Sequence, residues 1–358
     1  MSRPLLKIIF TTDYEVFGNG SGDLNCCVLE PTAQMVACLE EVGARLCVFL
    51  DLAEYWAFTE SFERGHLEED WAGQMKSQLQ ALLGRGHDVQ LHLHPQWLDY
   101  RKTDSGWSLN YDMWRIGKLA YRDDQYPERG LEKLFARAKN DMEDLFQAVK
   151  ASYRCEVFRA GAWSIQPEEK VLRALSVNGF KLDSTAVPGL HFSDGLTFYD
   201  FRKAPQAALP YPIRDNVNRP VKEGPLLEQP IFSAPLTLPK RLYFQYLKKS
   251  RGIPFKPDAC RGEAIASQKQ SIVTKVLRVL TQSQQMFTFG DATACEEMIY
   301  FVRQARKRAA RLKLNTMPVV AISHPKTFAN AKEFRRFLDW AKQEEDVEFS
   351  NYQDILNG

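Results

Sequence analysis

Short apolar runs alternate along this chain with stretches whose apolar positions recur at helical spacing. Leu5–Thr12 reads as the first strand. Thr32–Val42 reads as a helix, because Ala33, Met35, Val36, Cys38 and Leu39 fall near one face and Gly43 follows as a stop. The same rhythm predicts a strand at Arg45–Leu50, a helix at Trp71–Leu83 closed by Gly84 and Gly86, a strand at His87–Leu93 and a long helix at Leu131–Ala151. It resumes with strands at Cys155–Phe158 and Phe180–Leu182 around a helix at Glu168–Val177. It ends with a strand at Val319–Ile322 and a helix at Ala331–Gln343. Such alternation predicts a mostly parallel α/β sheet or barrel.

Two stretches interrupt the rhythm. Residues 99–128 are rich in Trp and Tyr, and residues 186–261 carry Pro210, Pro212, Pro220, Pro225 and Pro230. Both read as insertions on one domain spanning 1–358. On a β/α barrel such loops gather at the C-terminal face, where active sites sit.

Composition narrows the classes. A chain of 358 residues, 44% hydrophobic, can bury a full core. With 47 basic and 45 acidic residues, net +2, it lacks the basic excess of a dedicated nucleic-acid binder. No apolar run approaches the roughly 20 residues of a membrane span. The start, MSRPLLKIIFTTDYE, runs from apolar residues straight into acidic ones, as a core strand does and a signal peptide does not. The seven cysteines are scattered without a CxxC pair, which argues against a thiolate zinc site and for a reducing compartment; the expected location is the cytoplasm. Oligomeric state is left open.

Candidate chemistry concentrates at strand ends. Three of the six histidines lie between His87 and His94, and His92 and His94 share a strand face from which both can grip one cation. The alternative is a pair of satisfied polar residues at a strand end. Asp13 and Glu15 follow the first apolar strand, where carboxylates suit ligation or base catalysis or merely cap a turn. Arg159 stands at a short strand's tip before Gly161, and His324 after Val319–Ile322. Trp97, Tyr100, Trp107, Tyr111, Trp114 and Trp163 either wall a sugar site or pin the inserted loop to the barrel. The basic run 303–313 is a solvated helix face or a contact for phosphate-bearing ligands or a membrane surface.

Taken in order, an Asp-bearing strand end, Gly86-His87-Asp88-x₃-His92, Phe158-Arg159-x-Gly161 and a late strand ending in His324 resemble the polysaccharide deacetylase superfamily, carbohydrate esterase family 4. Ala44–Leu50 resembles that family's second strand and Leu182-Asp183-Ser184-Thr185 its fourth motif. The resemblance runs from Phe10 to His324, outside the long middle insertion. It implies a distorted (β/α) barrel of about seven strands with long insertions on the active-site face. It also implies a metal-dependent hydrolase, zinc being the expected metal, that removes an N-acyl group from a sugar or a surface-polysaccharide precursor. By position, Asp13 matches the catalytic base, Arg159 the arginine that orients it, His324 the general acid (as imidazolium), Asp183 the fourth-motif aspartate and His92 the first histidine ligand. Two positions depart from the pattern. Tyr14 stands where the family has a ligand aspartate, and Gln96 where it has its second histidine. The expected metal set is therefore Glu15, His92 and His94, with Trp97 and Trp163 against the carbohydrate. An amide hydrolase of a small non-sugar substrate and a non-enzymatic carbohydrate-binding protein are the alternatives.

Overall fold

The computed structural model of the chain describes residues 3–104, 106–119, 130–254, 256–257, 260–262 and 283–356. Its strands are β1 (Leu5–Tyr14), β2 (Leu46–Asp51), β3 (Asp88–Leu93), β4 (Tyr100–Thr103), β5 (Gly106–Leu109), β6 (Val157–Ala160), β7 (Leu182–Asp183), β8 (His191–Ser193), β9 (Phe198–Asp200), β10 (Tyr211–Ile213), β11 (Leu226–Glu228), β12 (Ser233–Pro235), β13 (Gln284–Met286), β14 (Thr316–Ser323) and β15 (Val347–Phe349). The helices are α1 (Glu30–Glu40), α2 (Leu52–Glu63), α3 (Trp71–Gly84), α4 (Ile116–Leu119), α5 (Leu131–Gln147), α6 (Glu169–Val177), α7 (Leu238–Ser250), α8 (Cys295–Arg311), α9 (Ala331–Gln343) and α10 (Tyr352–Leu356).

Every residue of β2 and β6 is buried, as strands covered on both faces require. The main sheet runs β10-β11-β7-β6-β3-β2-β1-β14, with β15 added beside β1. All its pairings are parallel except β10 with β11. Bridges from Ile231 to Val320 and from Thr288 to Ile322 bring the chain beyond β11 back to β14, so the sheet curls toward a barrel. Its nine strands among the described residues exceed the expected count of about seven.

The stretch 186–261 is not all insertion, because β10 and β11 extend the main sheet. The first interruption contributes the β4–β5 hairpin and α4. Its Trp107 packs on Trp97 and Phe58, and a Cβ at Gly20, whose φ is +74°, would lie 2.6 Å from the Trp107 ring. One hydrophobic cluster runs from Leu6 to Tyr352. A small second one holds Leu236, Phe244, Leu247 and Ala294.

Helix α2 escapes a reading by periodicity because its buried face includes Glu54 and Ser61. Asp51 caps it, accepting from Ala53 N at 3.2 Å.

Cys27 and Cys260 are disulfide-bonded 233 residues apart. A pair so distant leaves no spacing signal, and cysteine scatter no longer argues for a reducing compartment. Among the described residues no helix is long and apolar enough to cross a membrane.

Candidate active site

Parallel register gathers the strand tips. His92 pairs with Asp51 on one side and Arg159 on the other, and Thr12 pairs with Ser323, which sets His324 beside the end of β1. Asp13 lies at the centre, 3% exposed. Its Oδ1 accepts from Arg159 Nη1 at 2.7 Å, and its Oδ2 stands 3.6 Å from His324 Nε2 and 4.0 Å from His92 Nε2.

Arg159 is fully buried. Its Nε donates to Ser184 O at 2.9 Å, its Nη1 to Thr11 Oγ1 at 3.1 Å and its Nη2 to Tyr352 Oη at 3.3 Å, while Phe49 lies 4.0 Å beneath the guanidinium. Burial pushes the Asp13 carboxyl up, but Arg159, His92 and His324 together hold it below its ordinary value. Asp13 is an anion with one oxygen fixed and the other facing the histidines.

Glu15 divides its two oxygens. Oε1 accepts from Lys326 Nζ at 2.6 Å, whereas Oε2 lies 2.7 Å from His94 Nε2 and 3.5 Å from His92 Nε2. Burial raises this carboxyl too, and His94 and Lys326 bring it well below the ordinary value.

The histidines are aimed from behind. His92 Nδ1 meets Arg159 O at 2.9 Å, and His94 Nδ1 meets Gln96 Nε2 at 3.3 Å. Gln96 also donates to Gly18 O at 3.4 Å. The residue standing where the family has a histidine thus orients a ring instead of offering one. Both Nε2 atoms are left facing Glu15, and His92 Nε2 is buried without a hydrogen-bond partner.

One ligand atom each from Glu15, His92 and His94 lie within 4.8 Å of one another. Two imidazole nitrogens and a carboxylate oxygen suit zinc or a similar divalent ion, and back-bonded histidines with one orphaned nitrogen fit such a group.

Other expected residues stand elsewhere. Trp163 lines a cavity with its ring 6.2 Å from that of His324. Trp97 is 1% exposed and packs on Phe58 and Trp107, so it pins the hairpin, and it lies away from the His324 cavity. Asp183 is fully buried, and its partners are Thr185 and Glu228. His87 accepts from Leu46 N at 2.9 Å and meets Glu40 at 3.1 Å, outside the site.

The acid beneath the His324 loop is Asp291, which accepts from Ser323 Oγ at 3.0 Å and Thr327 Oγ1 at 2.7 Å. Sequence reading missed Asp291, Asp51, Gln96 and Lys326 as contributors. Lys326, two residues after His324, carried the one available signal. Burial and the Lys326 charge lower the pKa of His324, and Asp13 and Glu15 offset this only in part.

No protein-family model matches the chain, and no curated protein matches it. Among solved structures it is similar to one assigned as a polysaccharide deacetylase from Mycobacterium smegmatis, at 13% identity over 99% of this chain and 90% of that one, with a TM-score of 0.45. It is also similar to Puue allantoinase, at 13% identity over 98% of this chain and 89% of that one, with a TM-score of 0.45. A 4-alpha-glucanotransferase from Thermococcus litoralis matches at 15% identity over 100% of this chain and 40% of that one, with a TM-score of 0.43. A deacetylase and an allantoinase are thus among its structural neighbours. Likenesses this distant leave function to the site's own geometry.

Proposed function

We propose that this chain is a metal-dependent amide hydrolase that removes an N-acyl group from a sugar or a surface-polysaccharide precursor. The observation that carries the reading is the Glu15–His92–His94 group beside an anionic Asp13 that also faces His324. Trp163 on the cavity wall near His324 supports a sugar ring as its neighbour. The continuous core from Leu6 to Tyr352 supports reading the chain as one domain.

Glu15, His92 and His94 would hold the ion, for which we propose zinc. Bound there, such an ion supplies Lewis acidity toward the amide carbonyl and lowers the pKa of water. The protein's own groups do the proton work. Asp13, locked by Arg159, presents Oδ2 as the base for the attacking water. His324 Nε2, at 3.6 Å from that oxygen, is neutral at rest and receives the proton. The histidine then donates it to the departing nitrogen as the C–N bond breaks. A lowered pKa makes the transient imidazolium a strong acid for a poor leaving group.

Metal content and amine release from an N-acetylated sugar, measured on two variants, test this. Asp13→Asn should keep near-stoichiometric metal and lose turnover. Glu15→Gln should bind metal weakly and regain part of its activity in excess metal. Metal lost from the first variant and kept by the second would reverse the two roles. A wild-type protein that takes up no metal would sink the reading.

A further inference from the structure

Two neighbouring cavities lie on the His324 side of the site. A cavity of about 720 Å³ has His324, Trp163 and Asp291 in its wall. A second, of about 570 Å³, lies against α7, and the two share Gln245, Lys248, Gln285, Met286 and Glu297. Beyond that seam the second cavity is lined chiefly by Leu190, Phe192, Tyr199, Leu236, Leu242 and Phe244.

Among the described residues, Arg241 is the one charged side chain lining that stretch, so a saccharide lying there would lose water from most of its hydroxyls against apolar side chains. A hydrocarbon chain is the ligand an apolar cleft takes up from water. The lip has the same character: Leu238, Leu242 and Tyr246 follow one another at four-residue spacing on α7, exposed by 47%, 62% and 67%. Basic residues stand among them at Lys240, Lys248 and Lys249, and α7 carries no acidic residue. The amide chemistry described above uses none of these groups.

We propose that the cleft along α7 binds the hydrocarbon chain of an amphiphilic substrate whose amide lies beside His324, at the Glu15–His92–His94 group. This rests on the amide-hydrolase reading and adds a substrate class to it, a sugar amide bearing an alkyl or acyl chain.

The test compares methyl and octyl β-N-acetylglucosaminide with N-octanoylglucosamine, each below its micellar concentration, by titration calorimetry and by amine release. A chain seated in the cleft raises affinity by up to about fourfold per buried methylene. At least one octyl compound should therefore bind well over tenfold tighter than the methyl glycoside, an order-of-magnitude floor from the same coefficient. A gain confined to the octyl glycoside puts the chain on the sugar's anomeric side, and one confined to N-octanoylglucosamine puts it on the amide.

Leu242→Glu, on the exposed lip, should erase the gain and leave the methyl glycoside unchanged. Equal binding of all three compounds overturns the proposal, as does a gain that Leu242→Glu and Met286→Glu both leave intact. If the wild type is a dimer that Leu242→Glu dissociates, and chain length has no effect, the face joins two copies and the proposal falls. Chain-dependent binding without amine release from any compound overturns the hydrolase reading while the cleft stands. Amine release with no chain dependence does the reverse.

Discussion

Among the described residues, two of the buried pairs of carboxylates are treated oppositely by their surroundings. Asp13 and Glu15 end β1; Asp183 and Glu228 end β7 and β11, where they are register partners. All four are at most 5% exposed. At the first pair each acid has its own cation, Arg159 at 2.7 Å and Lys326 at 2.6 Å. At the second, Glu228 Oε1 accepts from Ala186 N and Asp183 Oδ1 from Thr185 Oγ1. Asp183 Oδ2 and Glu228 Oε2 have no donor unless one carboxyl keeps its proton for the other.

Burial drives all four toward the neutral form. Cations win at β1, whereas burial wins at β7, where Asp183 is pushed up to about 6 and Glu228 well above its ordinary value. Depth therefore does not distinguish an acid held ionised from one held neutral. The distinction lies in whether a dedicated cation accompanies the acid and whether an oxygen is left facing the histidines.

The largest way to break the contrast is to remove the first pair's cation. Arg159→Ala leaves Asp13 buried without its counter-charge, and urea denaturation should report a loss of about 3–5 kcal/mol. A loss below about 1 kcal/mol, the scale of a solvent-exposed pair, would mean that water enters and does Arg159's work.

A smaller effect tests how the Glu15 side is held. Gln96→Ala removes the partner of His94 Nδ1 without touching a proposed ligand atom. Metal affinity in competition with a chelator should fall by about 10–100-fold. An unchanged affinity would show that the ring needs no such support.

The smallest effect sharpens the second pair. Asp183 has a folded pKa raised from 3.8 to about 6. Its stabilising contribution is complete below 3.8 and is lost as pH rises through about 6. Asp183→Asn, neutral throughout, should flatten stability against pH in that window by up to about 1.4 kcal/mol per pH unit. Identical slopes for the two proteins would mean that Asp183 ionises alike folded and unfolded, and the contrast with Asp13 would collapse.

Local order along the chain determined a good deal. Apolar runs located β1, β2, β3 and β14, which are buried on both faces, and helical spacing located α1, α3 and α9, whose exposure repeats with the helix period. The period of a strand also put His92 and His94 on one face, and the end of an apolar run marked where Asp13, Arg159 and His324 would stand.

Tertiary structure decided what each of those groups meets. Asp13 and Arg159 are 146 residues apart, Glu15 and Lys326 are 311, and Cys27 and Cys260 are 233. The partnership of Asp183 with Glu228 comes from strand register alone. The burial of Trp97 comes from the way the β4–β5 hairpin lies over α2. Periodicity records which side of an element avoids water. A charge partner, a ring's back-side hydrogen bond or a shared proton depends on which strand tip is the neighbour, and that is fixed only when the sheet curls and brings the tips together.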